Sequence, residues 1–411
     1  MTERPVVVVV GAGFGGLAAC KELMSASVEV VVIDRHNFNT FQPLLYQVAT
    51  GGLNPGDIAY PVRSFIRRHA NLTFRQETVT AVDSAASRVE IAEGEPISFD
   101  YLVLAVGAAT SYFGVPGAEE NSHAIYTMED AVVVRDKLAK SIERAASRGT
   151  QPGDLTVVIV GGGATGVEMA GTLAELRRMQ LETTYAGISP AEVRVVLVEQ
   201  ADRLLTPFAP RLSSYAGQAL RARGVEVRCG ESVAEVAPDH VTLRSGEAIS
   251  CRLVIWAAGV GASALTQSLD VPKLHGRIGV GPDLRVSGHD NIFAIGDAAA
   301  ALDGHPLAQL AQPAMQEGRH AGKQIAALIG GKATAPFRYK DKGTMATIGR
   351  RSAVAEISFG IKLRGTLAWL AWLGLHIVVL VGLRNRISVL LNWGWRYLSW
   401  RRVGRVIAGS D

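Results

Sequence analysis

Val6-Val7-Val8-Val9-Val10-Gly11-Ala12-Gly13-Phe14-Gly15-Gly16 decides how this chain folds. Five consecutive valines read as a strand buried on both faces. Gly11, Gly13 and Gly16 then fall at the spacing of a tight turn that opens a helix. Gly11 permits the turn, Gly13 lets backbone approach a phosphate, and Gly16 lets the helix pack against the strand. Phe14 and Gly15 complete the turn. The helix N-terminus adds amide donors and a favourable dipole, so the turn is expected to hold a pyrophosphate. One such turn is weak, since 44 of the 411 residues are glycine. A second stands 150 residues on, where Val157 to Val160 runs into Gly161-Gly162-Gly163-Ala164-Thr165-Gly166. Two turns in the same context predict two bound dinucleotides, and chemistry that moves electrons between them.

The two turns head similar modules. After Gly11 comes a strand, Val28 to Ile33, ending at Asp34, 18 residues beyond Gly16. A carboxylate there can accept hydrogen bonds from ribose hydroxyls. After Gly161 comes a strand, Val193 to Val198, ending at Glu199. Glu199 lies 33 residues beyond Gly166, and a long helix from Gly166 to about Thr183 plus a loop through Pro190 accounts for the excess. Its carboxylate would repel a 2′-phosphate, and Gln200 follows rather than Arg, which favours NADH over NADPH. An apolar strand closes on Gly107 in the first module and on Gly259 in the second, 96 and 98 residues after Gly11 and Gly161. This order is read as an internal duplication of a Rossmann-type unit. Val79 to Ile91 and Val225 to Leu243 are predicted to form small antiparallel crossover sheets. Asn291 to Ile295 is a buried strand closing on Gly296-Asp297, and a helix is predicted from about Gln312 to Leu328.

Composition excludes some classes. A formal net charge of +4 gives no reason to expect a nucleic-acid partner. The charge is uneven, however. Residues 361–411 carry eight Lys/Arg against Asp411 alone, a net +7, so the rest of the chain sums to −3. Five of the six tryptophans are also there: Trp369, Trp372, Trp393, Trp395 and Trp400. A basic, Trp-rich, apolar tail suggests a membrane surface. The three cysteines, Cys20, Cys229 and Cys251, form no paired motif, which argues for buried apolar roles and against a metal site or redox disulfide. Leu17-Ala18-Ala19-Cys20 imitates a lipoprotein cleavage site, but cutting there would destroy the first turn, so no export signal is expected.

With these residues in place the chain resembles the two-dinucleotide-binding-domain flavoproteins over residues 1–330. Three stretches narrow the resemblance to type II NADH dehydrogenases, the non-proton-pumping NADH:quinone oxidoreductases. They are Phe41-Gln42-Pro43-Leu44-Leu45-Tyr46-Gln47-Val48-Ala49-Thr50, Gly161 to Gly171, and Ala311-Gln312-Pro313-Ala314-Met315-Gln316. The resemblance implies an α/β fold of two Rossmann-type dinucleotide-binding domains plus a C-terminal, membrane-associating helical region. It implies an FAD domain over 1–115 and 285–338, an NADH domain over 116–284, and a membrane-association region over 339–411. FAD would be held at Gly11, Gly13, Phe14, Gly15, Gly16, Asp34, Arg35, Gln42, Thr50, Val79, Gly107, Gly296 and Asp297. NADH would be held at Gly161, Gly163, Thr165, Gly166, Glu199 and Gly259. Glu168 would face the flavin and act in nicotinamide binding and proton traffic, although an acid early in a helix is often only structural. Gln312 and Gln316, four apart on one helix face, would contact a quinone, either menaquinone or ubiquinone. Electrons would pass from NADH through FAD to that quinone, without proton pumping.

The C-terminal region has three readings. Nineteen residues between Arg364 and Arg384 lack Asp, Glu, Lys and Arg, near the length of a spanning helix. Gly365, Gly374, His376 and Gly382 interrupt them, so a cover lying on the body is preferred to a span. Ile387 to Leu398 places Ile387, Leu390, Leu391, Leu398, Trp393 and Trp395 on one side, with Ser388, Asn392, Arg396 and Ser399 on the other. That pattern predicts a helix lying in the membrane interface, peripheral on the cytoplasmic face. A homodimer contact is compatible with it. Sulfide:quinone oxidoreductase is the enzymatic rival, but it needs redox cysteines near the flavin. A membrane-associated NADH sensor is the rival from outside enzymes.

Overall fold

In the computed structural model, residues 4–179, 185, 187–304 and 306–398 are described. Along the chain the framework strands are β1 (Val6–Val10), β2 (Glu29–Asp34), β3 (Leu72–Gln76), β4 (Tyr101–Leu104), β5 (His123–Ala124), β6 (Thr156–Val160), β7 (Arg194–Glu199), β8 (Glu226–Cys229), β9 (Leu253–Trp256) and β10 (Ile292–Ala294). Three more follow: β11 (Gly343–Gly349), β12 (Ser352–Ile357) and β13 (Ile361–Arg364). The helices that matter for function are α1 (Phe14–Leu23), α2 (Ala164–Met179), α3 (Ala311–Ile329), α4 (Thr366–Val379) and α5 (Leu383–Leu398). The chain divides into two compact units, residues 1–40, 60–109 and 260–341, and residues 41–59, 110–259 and 342–411.

The first unit is built on a parallel sheet in the order β10-β4-β1-β2-β3. Val7, Val8 and Val9 are fully buried, as a strand covered on both faces requires. An antiparallel excursion, Val79–Asp83, Arg88–Ile91 and Ile97–Ser98, supplies the predicted crossover sheet. Helix α3 spans the expected residues and packs on α1 through small residues. A Cβ on Gly318 would lie 2.1 Å from the Gly15 carbonyl oxygen, so only glycine lets the helices approach this closely.

The second unit repeats the plan with the order β5-β9-β6-β7-β8, also parallel. Its crossover sheet is Val233–Val236, His240–Leu243 and Ala248–Ser250. The segment Val225 to Cys229 was expected in that crossover. It instead gives β8, the edge strand of the parallel sheet, because Glu226 to Cys229 pair in register with Val196 to Glu199.

The C-terminal region departs further from expectation. Three antiparallel strands, β11 to β13, precede the two helices. Their sequences, GTMATIG, SAVAEI and IKLR, are short and mix small residues with larger apolar ones, which gives little regular alternation to read. Gly171 on α2 seats this sheet, since a Cβ there would lie 1.9 Å from the Ile348 carbonyl oxygen. Helix α4 has 14 residues, about 21 Å at ~1.5 Å per residue, against a hydrocarbon core of about 30 Å. Among the described residues no helix is long and apolar enough to cross a membrane. The basic and aromatic residues from Ser399 onward, and the predicted helix end near Thr183, lie outside the described residues.

Helix α5 is amphipathic as predicted, but its polar side faces the protein. Ser388 Oγ donates to Asp57 at 2.6 Å, Asn392 Nδ2 donates to Asp57 at 2.9 Å, and Asn385 Nδ2 donates to the Ala59 carbonyl at 2.8 Å. Leu383, Ile387, Leu390, Leu391 and Trp395 point outward and are exposed. Trp393, expected on that outer side, is buried, because its indole donates to Gln47 Oε1 at 2.8 Å.

Candidate active site

The two glycine turns are wired identically. Each first glycine, Gly11 or Gly161, donates to the carbonyl of the neighbouring acid-bearing strand, Ile33 or Val198, at 2.8 Å in both cases. Asp34 accepts from the Ala12 N–H at 2.7 Å and from the His36 N–H at 2.8 Å. Glu199 accepts from the Gly162 N–H at 2.5 Å and from the Ala201 N–H at 2.6 Å. Each carboxylate is thus fixed at its strand end by the turn and by the residue two positions on. Charge-assisted bonds of this kind hold the oxygens in one orientation while leaving further lone pairs for ribose hydroxyls. The duplication inferred from spacing is therefore reproduced bond for bond.

The turns also have the shape a pyrophosphate needs. A Cβ on Gly16 would lie 1.8 Å from the Gly11 carbonyl oxygen, and one on Gly166 would lie 1.8 Å from that of Gly161. Those two glycines are required by the protein itself. Gly13 and Gly163 differ, because a Cβ at either would meet nothing within 4 Å. The space over them is free for a ligand, and no side chain caps the N-terminus of α1. The residues present fit one dinucleotide at each turn. Arg203, which could have read a 2′-phosphate, instead donates to the Phe208 and Thr206 carbonyls at 3.0 and 2.9 Å.

In the first unit two buried side chains, Glu317 and Arg277, clamp the Gly296-Asp297 turn through the backbone of Gly296. Glu317, on α3, accepts from the Gly296 N–H at 2.5 Å. Arg277 reaches the Gly296 carbonyl at 3.4 Å and donates to the Leu307 carbonyl at 2.9 Å. Gln309 donates to the Asp297 carbonyl at 3.2 Å. Burial pushes the Glu317 carboxyl up to about 7, opposed by the Gly296 N–H and Arg277 and assisted by Asp297. Nothing in the sequence singled out Glu317 or Arg277. Glu317 reads as one more polar residue beside Gln316, and the two are 40 positions apart.

In the second unit Glu168 sits in α2 and is 8% exposed. It accepts from the Thr347 N–H of β11 at 3.2 Å. Burial pushes its carboxyl up to about 8, while the Thr347 N–H and the Trp372 indole pull the other way. The Trp372 Nε1–H is buried and meets no acceptor at hydrogen-bond geometry. Burial thus outweighs the two donors that the C-terminal sheet and α4 direct at Glu168. Trp372 stacks on His376 at 4.0 Å and meets the Tyr46 ring edge-on at 6.4 Å. Tyr46 accepts from Gln47 Nε2 at 2.9 Å, which links the Phe41–Thr50 stretch to α4 and α5.

The remaining expected residues are placed as follows. Gln42 donates to the Tyr126 carbonyl at 3.2 Å, and the Thr50 hydroxyl donates to the Tyr46 carbonyl at 2.8 Å. Arg35 is exposed beside His36, and Val79 pairs with Ile91 at the start of the crossover. Gly107 has a φ of +65° and follows β4. Gln316 is engaged in both directions by Lys340, donating to its carbonyl and accepting from its N–H at 3.0 Å each. Gln312 makes no such bond and is half-buried at the first turn of α3. Phe14 and Thr165 lie in the first turns of α1 and α2.

Comparison with known proteins bears directly on this arrangement. Residues 5–318 match the pyridine nucleotide-disulphide oxidoreductase family, and residues 342–402 match the NDH2 C-terminal domain. The type II NADH:quinone oxidoreductase Ndh of Mycobacterium tuberculosis is 37% identical, over 97% of this chain and 89% of that one. The chain belongs to the type II NADH:quinone oxidoreductases. The internal alternative NAD(P)H-ubiquinone oxidoreductase A1 of Arabidopsis thaliana is 31% identical over 98% of this chain and 86% of its own. The structure of NDH2 from Plasmodium falciparum in complex with NADH superposes with a TM-score of 0.91 at 20% identity, covering 97% and 99% of the two chains. The sulfide:quinone oxidoreductase of Aquifex aeolicus shares the fold at a TM-score of 0.76 and 18% identity, covering 99% of each chain. This type II oxidoreductase is accordingly a flavoenzyme that uses FAD to oxidise NADH and reduce a quinone. Its cysteines do not suit sulfide chemistry. Burial pushes all three thiols up, those of Cys20 and Cys251 to about 12, away from the thiolate such chemistry needs.

Proposed function

We propose that the first turn holds FAD, that NADH docks on the second, and that the enzyme works from the surface of a membrane whose quinone it reduces. When bound, FAD relays two electrons from NADH to quinone, and the protein supplies position and charge. Asp34 and Glu199 take the ribose hydroxyls at their respective sites. Gly13 and Gly163 leave room for the two pyrophosphates, and the Glu317–Arg277 clamp orients Asp297. Glu168 holds a proton in a dry setting near neutral pH, where it can be exchanged during turnover. Arg203 is tied to its own loop, which supports NADH over NADPH. Gln312 and Gln316, on one face of α3, offer their amides to the quinone, with Gln316 also bonded to the Lys340 backbone.

The observation that carries the membrane reading is the outward apolar side of α4 and α5. Leu367, Leu370, Leu375 and Val378 of α4 are exposed, as are Leu383, Ile387, Leu390, Leu391 and Trp395 of α5. An apolar surface of that kind with tryptophan is suited to the lipid boundary. Lys362, Arg364, Arg384 and Arg386 lie beside it in sequence, as an anionic cytoplasmic leaflet would favour. The same surface could be shared by a second copy of the chain. Vesicle co-sedimentation tests the reading. The double variant Leu367→Asp, Leu391→Asp is expected to leave the membrane fraction while keeping its FAD and its activity with a water-soluble quinone. Unchanged retention would count against the membrane face.

A further inference from the structure

Phe113 is 67% exposed and adopts a φ of +52°. A bulky side chain in the left-handed region is strained. Burial offsets little of that strain here. The segment around it is nonetheless held firmly within the second unit. The Ser111 N–H donates to the Gly259 carbonyl at 3.2 Å, and the Trp256 indole donates to the Ser111 carbonyl at 2.8 Å. The Tyr112 ring lies 5.6 Å from the Trp256 ring. The distal edge of the Phe113 ring rests on Gly259, where a Cβ would come within 2.5 Å of Cζ and 2.9 Å of Cε2. The ring is therefore fixed at the carboxyl end of β9, with the rest of its surface open.

The sheet order shows which part of a dinucleotide reaches that end. Strand β6, which runs into the Gly161 turn, is flanked by β7 on one side and β9 on the other. Ligands of such sheets bind across the carboxyl ends of the strands. A dinucleotide with its adenosine ribose at Glu199 on β7 and its pyrophosphate at the Gly161 turn lays its other half over β9. That half carries the nicotinamide. We propose that Phe113 is a contact for the nicotinamide half of NADH, its open ring surface giving the nucleotide an apolar stacking platform. The inference rests on the reading of the second turn as the NADH site. Planar rings stack favourably on aromatic side chains, as bases do in nucleic-acid sites. A residue held in a strained backbone with little burial in return suits such a role.

The test uses the full-length FAD-loaded enzyme and the variants Phe113→Ala, Phe113→Gly and Phe113→Tyr. Steady-state kinetics with varied NADH, together with an NAD+ dissociation constant, give the readout. Ala and Gly are expected to raise the KM for NADH and weaken NAD+ by about fivefold to tenfold, in line with one lost stacking contact. The quinone KM and FAD content stay unchanged, and Tyr restores the parent values. Phe113→Gly should melt no lower than the parent, because glycine takes this backbone without strain. That separates a lost contact from a lost fold. An unchanged KM for NADH in both Ala and Gly, or a Tyr variant as poor as Ala, overturns the proposal. Gly163→Val tests the underlying reading, since a Cβ at this position meets no protein atom within 4 Å, and a parent-like melting temperature and FAD content show that the fold is kept. NADH binding that survives Gly163→Val overturns the site assignment itself. NADH binding that is lost there but unaffected in the Phe113 variants overturns the Phe113 contact alone.

Discussion

Asp57 and Ser388 are 331 residues apart in sequence and 2.6 Å apart in space. Their hydrogen bond, with the one from Asn392, turns α5 so that its polar side meets the protein and its apolar side faces out. Asp57 also accepts from the Asn54 N–H at 2.8 Å. Replacing the buried Asp57 by Ala removes the acceptor of three part-buried donors. The expected loss is about 1–3 kcal/mol of stability, with α5 loosened. Thermal unfolding and limited proteolysis should show a lower melting temperature and new cleavage within residues 383–398. Parent-like resistance to proteolysis would mean that α5 is held by its apolar contacts instead.

Glu168 and Glu317 give the enzyme a definite pH signature. Their carboxyls are raised from 4.5 to about 8 and about 7 in the folded chain. Between pH ~4.5 and those values the folded chain keeps protons that the unfolded chain has released. Their contribution to stability is therefore fully present below pH ~4.5 and falls as pH rises, with the Glu168 part gone above about 8. Glu168→Gln removes that part. Melting curves from pH 5 to 9 should show the parent losing stability relative to the variant as pH rises, with the difference levelling off above about pH 8. A pH-independent difference would show that Glu168 ionises normally.

Gly171→Ala places a methyl group 1.9 Å from the Ile348 carbonyl oxygen. The C-terminal sheet must shift off α2, at a cost of about 1–3 kcal/mol. Thr347 precedes Ile348 and donates to Glu168, so the same substitution disturbs that hydrogen bond. The variant should melt earlier and lose part of the pH dependence that Glu168 confers. A parent-like melting profile at every pH would refute this coupling.

Glu317→Ala removes the buried acceptor of the Gly296 N–H, a change that costs about 1–3 kcal/mol. The purified variant should bind FAD more weakly in titrations of the apoprotein. Glu317→Gln keeps an acceptor for that N–H and should fall between the two. FAD affinity equal to the parent in both variants would show that the Gly296-Asp297 turn holds without the clamp.

The glycine turns and their acidic strand ends were legible in the sequence because each glycine answers a local demand. Asp34 and Glu199 occupy positions that the strand ends dictate. The C-terminal region was less legible. Its strands use Ala353, Ala355, Thr344 and Thr347, which carry little hydrophobic signal. For α5, periodicity separated Ser388 and Asn392 from Leu390 and Leu391, but an amphipathic pattern alone does not say which side meets protein. That was decided by Asp57, a distant acid with no motif around it. Trp393 went to the buried side because Gln47 accepts from its indole. Glu317 and Arg277 went unnoticed for the same reason: a clamp joined across 40 residues leaves no local pattern.

The surroundings of Glu168 come from residues made long after it. Its hydrogen-bond donor is Thr347, and the indole beside it is Trp372. On the ribosome, both glycine turns are complete well before either residue has been added. A chain released early, or one trimmed after synthesis, would carry two nucleotide turns and an ordinary, water-exposed acid at position 168. The buried setting of Glu168 is therefore acquired only at the end of translation, when the residues that carry Thr347 and Trp372 have been added.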